Sequence, residues 1–232
     1  MQKTINPSLK ISSLGEPVAI PQKLKRSIAT WANIEYHRYN FGHILTQTLL
    51  YKLFRIYILR FRMKQDAFVQ LYRRRAAICM FYCLNGSLRT MLPEIPTLSI
   101  QKDQFGFAYL PEGARLLQPV AETELFIIEL EAPMLEELAA SRKEFKELVD
   151  LATVNDSTAR ILPLLPMNHM IHHILEDMRL CKQSRENLLM ELKTANLQLI
   201  NLYRKALNEN ENFKKLSTQS NLESLPGDQA TA

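Results

Sequence analysis

The chain has 232 residues, of which 47% are hydrophobic and 23% are charged. That composition supplies enough apolar side chains for one large domain or two small ones, and it excludes disorder as the dominant state. The longest apolar run, 76–84, is about half of the ~20 residues that a membrane-spanning helix needs, so we expect no membrane contact.

The N-terminus lacks the apolar segment of a secretory signal, which predicts a cytoplasmic protein. The three cysteines, Cys79, Cys83 and Cys181, have neither paired nor zinc-binding spacing, so we expect free thiols. The net charge of +5 permits an acidic partner without requiring one. The arginine run 73–75 is interpreted as a solvated face, with an anionic contact as the alternative.

Residues 1–40 show no sustained apolar period and are predicted to form an N-terminal arm. A β-barrel is predicted over 41–132, because short apolar runs alternate there with turn residues such as Asn85-Gly86 and Pro111-Glu112-Gly113. The candidate strands are 43–51, 53–62, 66–72, 76–84, 86–92, 96–101, 104–110, 114–119 and 123–131.

The segment 104–110 has one bulky face and one small face. The bulky side chains are Phe105, Phe107 and Tyr109, and the small ones are Gly106, Ala108 and Leu110. Such a difference is typical of a strand with one face toward a barrel interior and the other under a helix.

Helical spacing begins at Pro133, which predicts a short helix there and a second one through 145–151. Asn168 is the predicted N-cap of a third helix. A fourth, longer helix is predicted to start near Ser184.

The long helix carries two apolar rows. The first consists of Leu188, Leu192, Ala195, Leu199, Leu202 and Ala206, and the second of Leu189, Ile200, Tyr203 and Leu207. We predict that the first row contacts a second subunit, the alternative being that both rows cover the chain's own domain. The region 133–213 is thus a predicted helical dimerisation region packed on the barrel, and 214–232 a predicted disordered tail.

Motifs of common enzymes and metal sites are absent from the sequence. Pro111-Glu112-Gly113 matches the Pro-x-Gly turn of the second cupin motif, but Leu116 stands where that motif has a histidine. His169, His172 and His173 share one helix and are interpreted as a polar face, with metal chelation as the alternative. The sequence has no Gly-x-Ser-x-Gly elbow and no glycine-rich phosphate loop.

Glu129 and Glu131 share one face at a strand end, where exposure to solvent is the usual role and catalysis the alternative. We therefore expect no enzyme activity, no cofactor and no metal.

Several stretches together carry a family resemblance over about 41–207. They are FGHILTQTLLYKLFRIYILRF, AAICMFYCLNGSLRTML, LSIQKDQFGFAYLP, ELFIIELEAPMLEELA and NHMIHHILEDMRLCKQSRENLLMELKTANLQLINL. In this order they resemble the N-terminal ligand-sensing region of AraC-type transcriptional regulators, especially the form common in Bacteroidota.

The resemblance implies a β-rich α+β fold, namely a cupin-like jelly-roll barrel followed by C-terminal helices that form an αα-hairpin. It also implies a small-molecule effector and a homodimer. Family members carry a DNA-binding region of about 100 residues with two helix-turn-helix units. Only 25 residues follow Leu207, so we expect no direct DNA binding by this chain.

The predicted effector site is the barrel interior. Its predicted lining is Tyr57, Tyr82, Phe107 and Tyr109, with Arg55 or Arg115 as a charge partner. The alternative is that these aromatic side chains fill a small barrel and leave no cavity.

Three other functions stay open. They are a cupin-fold enzyme with atypical metal ligands, a scaffolding β-barrel that binds another protein through its helices, and a cyclic-nucleotide regulator. For the last function, the sequence lacks the glycine-rich phosphate cassette that cyclic-nucleotide regulators use.

Overall fold

The structure, a computed structural model, describes residues 9–11, 15–92 and 95–223. The strands are β1 Leu9–Ile11, β2 Glu16–Pro17, β3 Asn33–Tyr39, β4 Gly42–Leu50, β5 Phe54–Met63, β6 Val69–Arg73, β7 Ala77–Leu92, β8 Ile95–Gln101, β9 Gln104–Leu110, β10 Gly113–Leu130, β11 Arg160–Ile161 and β12 Leu165–Pro166. The helices are α1 Gln22–Lys25, α2 Glu136–Ser141, α3 Lys143–Val154, α4 His169–Leu180 and α5 Arg185–Glu223, and a 3-10 turn spans Ala132–Met134. The predicted β-rich α+β fold is confirmed.

The strands form two layers that face each other. We call the first the covered layer; it contains β2, β3, β4, β5, β9, β11 and β12 with residues 77–85 of β7 and 122–130 of β10. The second, the open layer, contains β1, β6 and β8 with residues 86–92 of β7 and 113–120 of β10. β7 and β10 pair with each other in both layers.

A bend carries β7 and β10 from one layer to the other. Gly86 has φ +72°, and a Cβ there would lie 2.3 Å from the Glu122 carbonyl oxygen, so only glycine fits. On β10, Ala121 has φ +50° and the register shifts between Val120 and Glu124. The predicted turn at Asn85-Gly86 is therefore wrong, because β7 continues through it.

The same correction applies to β10. The candidate strands 114–119 and 123–131 are one strand with a bulge between them. A bulge leaves the hydrogen-bonded ladder in place on both sides, whereas a turn would reverse the chain.

Part of the predicted arm belongs to the sheet. β3 lies within 1–40 and pairs with β4 over its whole length, from Asn33 opposite Thr48 to Tyr39 opposite Gly42. Its side chains are mostly exposed, apart from Tyr36 and Tyr39, so it lacks the long apolar run that predicts strands such as β5 and β9.

The helices pack on the outer face of the covered layer. The predicted N-cap of α4 is confirmed, since the Asn168 Oδ1 atom accepts a hydrogen bond from the Ile171 backbone N–H at 3.1 Å. α5 begins one residue after Ser184 and continues to Glu223. The disordered tail predicted over 214–232 stays a prediction, and 224–232 lie outside the described residues.

α4 and α5 contact each other. The Cys181 thiol, just after α4, donates a hydrogen bond to a Glu191 carboxylate oxygen of α5 at 2.8 Å. The αα-hairpin itself stays a prediction. In the part of the chain that the structure describes, no helix has the length and apolar character to span a membrane.

Candidate ligand cavity

The predicted aromatic lining belongs mostly to the core beneath the helices. The Phe107 ring centroid lies 5.3 Å from that of Phe145 on α3 and 4.9 Å from that of Tyr203 on α5. The Tyr109 hydroxyl donates to the Asp156 carbonyl oxygen at 2.6 Å, and Tyr82 is buried in the same cluster. These three side chains join the sheet to the helices.

The cavity lies on the other face, between the two layers, with a volume of about 90 Å³. Small side chains of the covered layer, such as Ala108 and Cys79, leave this space. The lining residues are Leu71, Arg73, Cys79, Phe81, Leu88, Thr90, Leu98, Ile100, Ala108, Leu110, Arg115, Leu117, Leu125, Ile127 and Ile161. The small face of β9 therefore faces the barrel interior and the bulky face lies under the helices.

Of the predicted ligand residues, Arg115 lines the cavity. Tyr57 is buried in the apolar cluster between the layers but is not among the lining residues. Arg55 is also buried and pairs with Glu131, its Nη1 atom lying 2.7 Å from a carboxylate oxygen. The size of an aromatic side chain was thus a poor guide to the cavity, because large side chains fill space.

The polar lining groups of the open layer are ordered along the barrel. Arg73 and Arg115 occupy adjacent inward positions on β6 and β10. On β7, Thr90 lies opposite Leu117 of β10, one inward position beyond Arg115, and Leu88 follows it next to the bend at Gly86. The cavity thus has hydrogen-bond donors at one end and apolar side chains at the other.

A chain of ion pairs closes the donor end. Arg73 of the open layer donates a hydrogen bond to Glu129 of the covered layer. The Glu129 side chain is 0% exposed. The second Glu129 oxygen lies 3.9 Å from Arg55, and Glu131 pairs with both Arg55 and Arg75. The expected exposure of Glu129 to solvent is therefore wrong. Buried carboxylates need such partners, since desolvation otherwise disfavours their charge.

The arginine run 73–75 is explained by the same network. Arg73 is buried, and Arg74 and Arg75 are exposed, with Arg75 paired to Glu131. Two of its members thus pair within the chain, a possibility that neither sequence interpretation included.

Cys79 lies in the cavity wall beside Arg73. Burial raises the pKa of its thiol to about 12, although the Arg73 charge acts in the opposite direction. A thiol with this pKa is protonated at neutral pH and is a poor nucleophile.

The histidines of α4 lie on the surface, away from the cavity lining. The His172 Nε2 atom is 3.2 Å from an Asp103 oxygen, and the His173 Nδ1 atom is 2.8 Å from an Asp177 oxygen. Among the described residues, no group of three or more His, Cys, Asp and Glu side chains is placed to hold a metal ion.

The predicted dimer row on α5 packs against the same chain. Three of its members are buried in the core beneath the helices, namely Leu188, Leu192 and Leu199. The other three are partly buried against that core, namely Ala195, Leu202 and Ala206. Met190 and Leu197 are 68% and 40% exposed. The outer surface of α5 therefore consists of residues outside the predicted row.

The N-terminal segment contacts the end of α4. The Trp31 indole N–H donates to the Met178 carbonyl oxygen at 2.7 Å, and the Thr30 hydroxyl donates to the Cys181 carbonyl oxygen at 2.5 Å. Carbonyl groups at a helix end lack partners within the helix, so these bonds fix the end of α4 to the sheet side.

No protein-family model matches the sequence, and no curated protein matches it. Among solved structures, the AraC-like transcriptional activator CuxR is similar over 72% of this chain and 60% of its own, with 10% identity and a TM-score of 0.46. An apo ToxT variant from Vibrio cholerae is similar over 66% of this chain and 57% of its own, with 8% identity and a TM-score of 0.44.

Cupin proteins are also similar. A cupin family protein with a double-stranded β-helix fold, from Methanocaldococcus jannaschii, is similar over 41% of this chain and 87% of its own length. The identity is 11% and the TM-score is 0.30. All three TM-scores lie below 0.5 and carry no argument about function. The chain spans 60% of CuxR and 57% of ToxT, and the resemblance to the Bacteroidota form stays a prediction. The solved structures similar to this chain thus include an AraC-like transcriptional activator, an apo ToxT variant and cupin proteins.

Proposed function

We propose that this chain is a non-catalytic ligand-sensing and dimerisation module of an AraC-type transcriptional regulator. The cavity between the layers carries the proposal. Its walls come from both layers, including β6, β7, β9 and β10, so a bound molecule contacts both. The resemblance of the sequence to AraC-type regulators supplies the biological role. The proposal assigns no DNA contact to the described residues.

The chemistry of the cavity supports a binding role over a catalytic one. Its polar lining groups are two guanidinium groups, a hydroxyl and the Cys79 thiol. Guanidinium groups stay protonated in proteins, so they donate hydrogen bonds and do not act as bases. The high pKa of the thiol disfavours nucleophilic attack. We therefore propose effector binding without chemical conversion.

We propose that a homodimer forms through the exposed surface of α5. Met190 and Leu197 are seven residues apart, which places them two helical turns apart on one stripe. Leu180, at the end of α4, is another large exposed apolar side chain of the helical region. Contiguous exposed apolar surface marks protein interaction sites, and a second subunit on this stripe of α5 would cover Met190 and Leu197.

Native mass spectrometry and light scattering of one purified sample test the proposal. We expect a dimer that carries a small organic molecule and no metal. A monomer with one metal ion per chain would contradict it and would favour the cupin enzyme. A monomer that retains another protein would favour the scaffolding role.

A further inference from the structure

The order of side chains along the cavity determines which molecules fit it. The donor end contains Arg73, Arg115 and Thr90, with Cys79 beside Arg73. No aspartate or glutamate is among the lining residues, since Glu129 lies behind Arg73 rather than in the wall. Every polar lining group can therefore donate a hydrogen bond, and two of them are cationic.

The opposite end of the cavity is apolar. It lies at the bend, where Leu88 and Ile100 of the open layer face Leu125 of the covered layer. Ile127 and Phe81 pair across β10 and β7 in the middle of the cavity. Apolar atoms of a ligand lose water on entering this part, which favours binding.

We propose that the ligand is a small apolar monocarboxylate, with its carboxylate at Arg73 and Arg115 and its hydrocarbon body toward Leu88. This inference rests on the proposed function, because it names the ligand of the same cavity. Guanidinium groups bind carboxylates through charge-assisted hydrogen bonds. An apolar cavity of about 150 Å³ holds a benzene ring. A volume of about 90 Å³ is smaller than that and therefore limits the body to a short aliphatic chain.

Titration calorimetry with short-chain carboxylates tests this ligand class. The probes are propionate and butyrate, each compared with the alcohol and the amine of the same carbon skeleton, on the full chain. We expect one of the carboxylates to bind at least about tenfold more tightly than its alcohol, with no measurable binding of its amine.

Arg115→Gln is the informative variant, because Arg115 is only partly buried and lines the donor end. It should weaken carboxylate binding about tenfold and leave binding of the alcohol unchanged. Arg115→Lys keeps the positive charge and should therefore lose less affinity for the carboxylate than Arg115→Gln. Arg89→Gln is the matched control, since Arg89 is an exposed residue of β7 outside the cavity lining. This variant should bind the carboxylate as tightly as the wild type does.

Leu88→Phe tests the apolar end independently of charge. The larger ring occupies part of the cavity, so binding of the carboxylate and of the alcohol should weaken together. Unchanged binding of both would contradict the proposed orientation.

The outcomes separate the two proposals. If the alcohol or the amine binds as tightly as the carboxylate, the ligand class is wrong and the ligand-sensing function stands. If Arg115→Gln and Arg89→Gln bind carboxylate equally, the placement of its head group is wrong. If no probe binds and the purified chain carries no small molecule, both proposals fail.

Discussion

The two faces of the covered layer differ in what their side chains do. The face beneath the helices is filled by large aromatic rings such as Phe107, whereas the face toward the open layer has small groups such as Ala108 and leaves a cavity. These two residues are neighbours in sequence on β9, so one strand serves both purposes. Large apolar side chains stabilise the packing of helices on the sheet, and small ones leave room for a ligand.

The largest expected effect concerns the helical side. Leu192→Asp places a charge at a position that is 1% exposed within one chain, and burying an unpaired charge costs several kcal/mol. We expect loss of the fold, measured by circular dichroism, rather than a folded monomer. Leu197→Asp is the matched control on the same helix, and it should fold and dissociate the proposed dimer in light scattering. A folded Leu192→Asp protein would refute the assignment of this row to the core.

Phe107→Ala and Ala108→Leu compare the two faces directly. The first removes a ring that contacts α3 and α5, and we expect it to lower the free energy of unfolding by about 3–5 kcal/mol. The second adds atoms in the cavity, so we expect a change below about 1.5 kcal/mol with loss of ligand binding. Urea denaturation and calorimetry measure these effects. Equal losses of stability would show that both faces are ordinary core.

The cavity side also contains a buried ion pair, in which Glu129 is 0% exposed and Arg73 is 4% exposed. Glu129→Leu leaves Arg73 without its carboxylate, and we expect a loss of about 3 kcal/mol in urea denaturation. Replacing Arg73 with Met in the same protein should restore most of that loss, since an apolar pair of similar volume needs no counterion. If Glu129→Leu alone is as stable as the wild type, the ion pair between Arg73 and Glu129 contributes nothing to stability.

Asn196 is a buried polar residue on the helical side. Both polar atoms of its amide are buried on α5 without a hydrogen-bond partner among the described residues. Such a group costs about 1–3 kcal/mol, so Asn196→Leu should raise the free energy of unfolding by about 1 kcal/mol. Thermal denaturation checks the sign of this change in stability, with Asn201→Leu on the exposed surface as the control. A lower midpoint for Asn196→Leu would indicate that the amide has a partner such as bound water.

Local patterns predicted the elements well. Long apolar runs marked β5 and β9, and Asn168 marked the start of α4, because these signals depend on nearby residues. The bend at Gly86 was missed, because Asn-Gly is also typical of hairpin turns and only its contact with Glu122 distinguishes the two.

The candidate site was harder to predict for two physical reasons. Both faces of β9 are apolar, so alternation alone does not tell which one meets the helices. Arg73 and Glu129 are 56 residues apart in sequence, and their pairing depends on how the two layers stack. Arg115 was found because a cation in a strand of a barrel suggested a charge partner for a ligand.

The passage of β7 and β10 through both layers also affects how the chain folds. β10 must pair with β5 and β7 on one side of its bend and with β6 and β7 on the other, so each layer needs the same two strands. These contacts join distant parts of the chain, as Phe54 opposite Leu130 illustrates, and such contacts make folding slow. Neither layer forms an independent folding unit. The barrel should therefore unfold in one cooperative transition, and neither layer should fold when expressed alone.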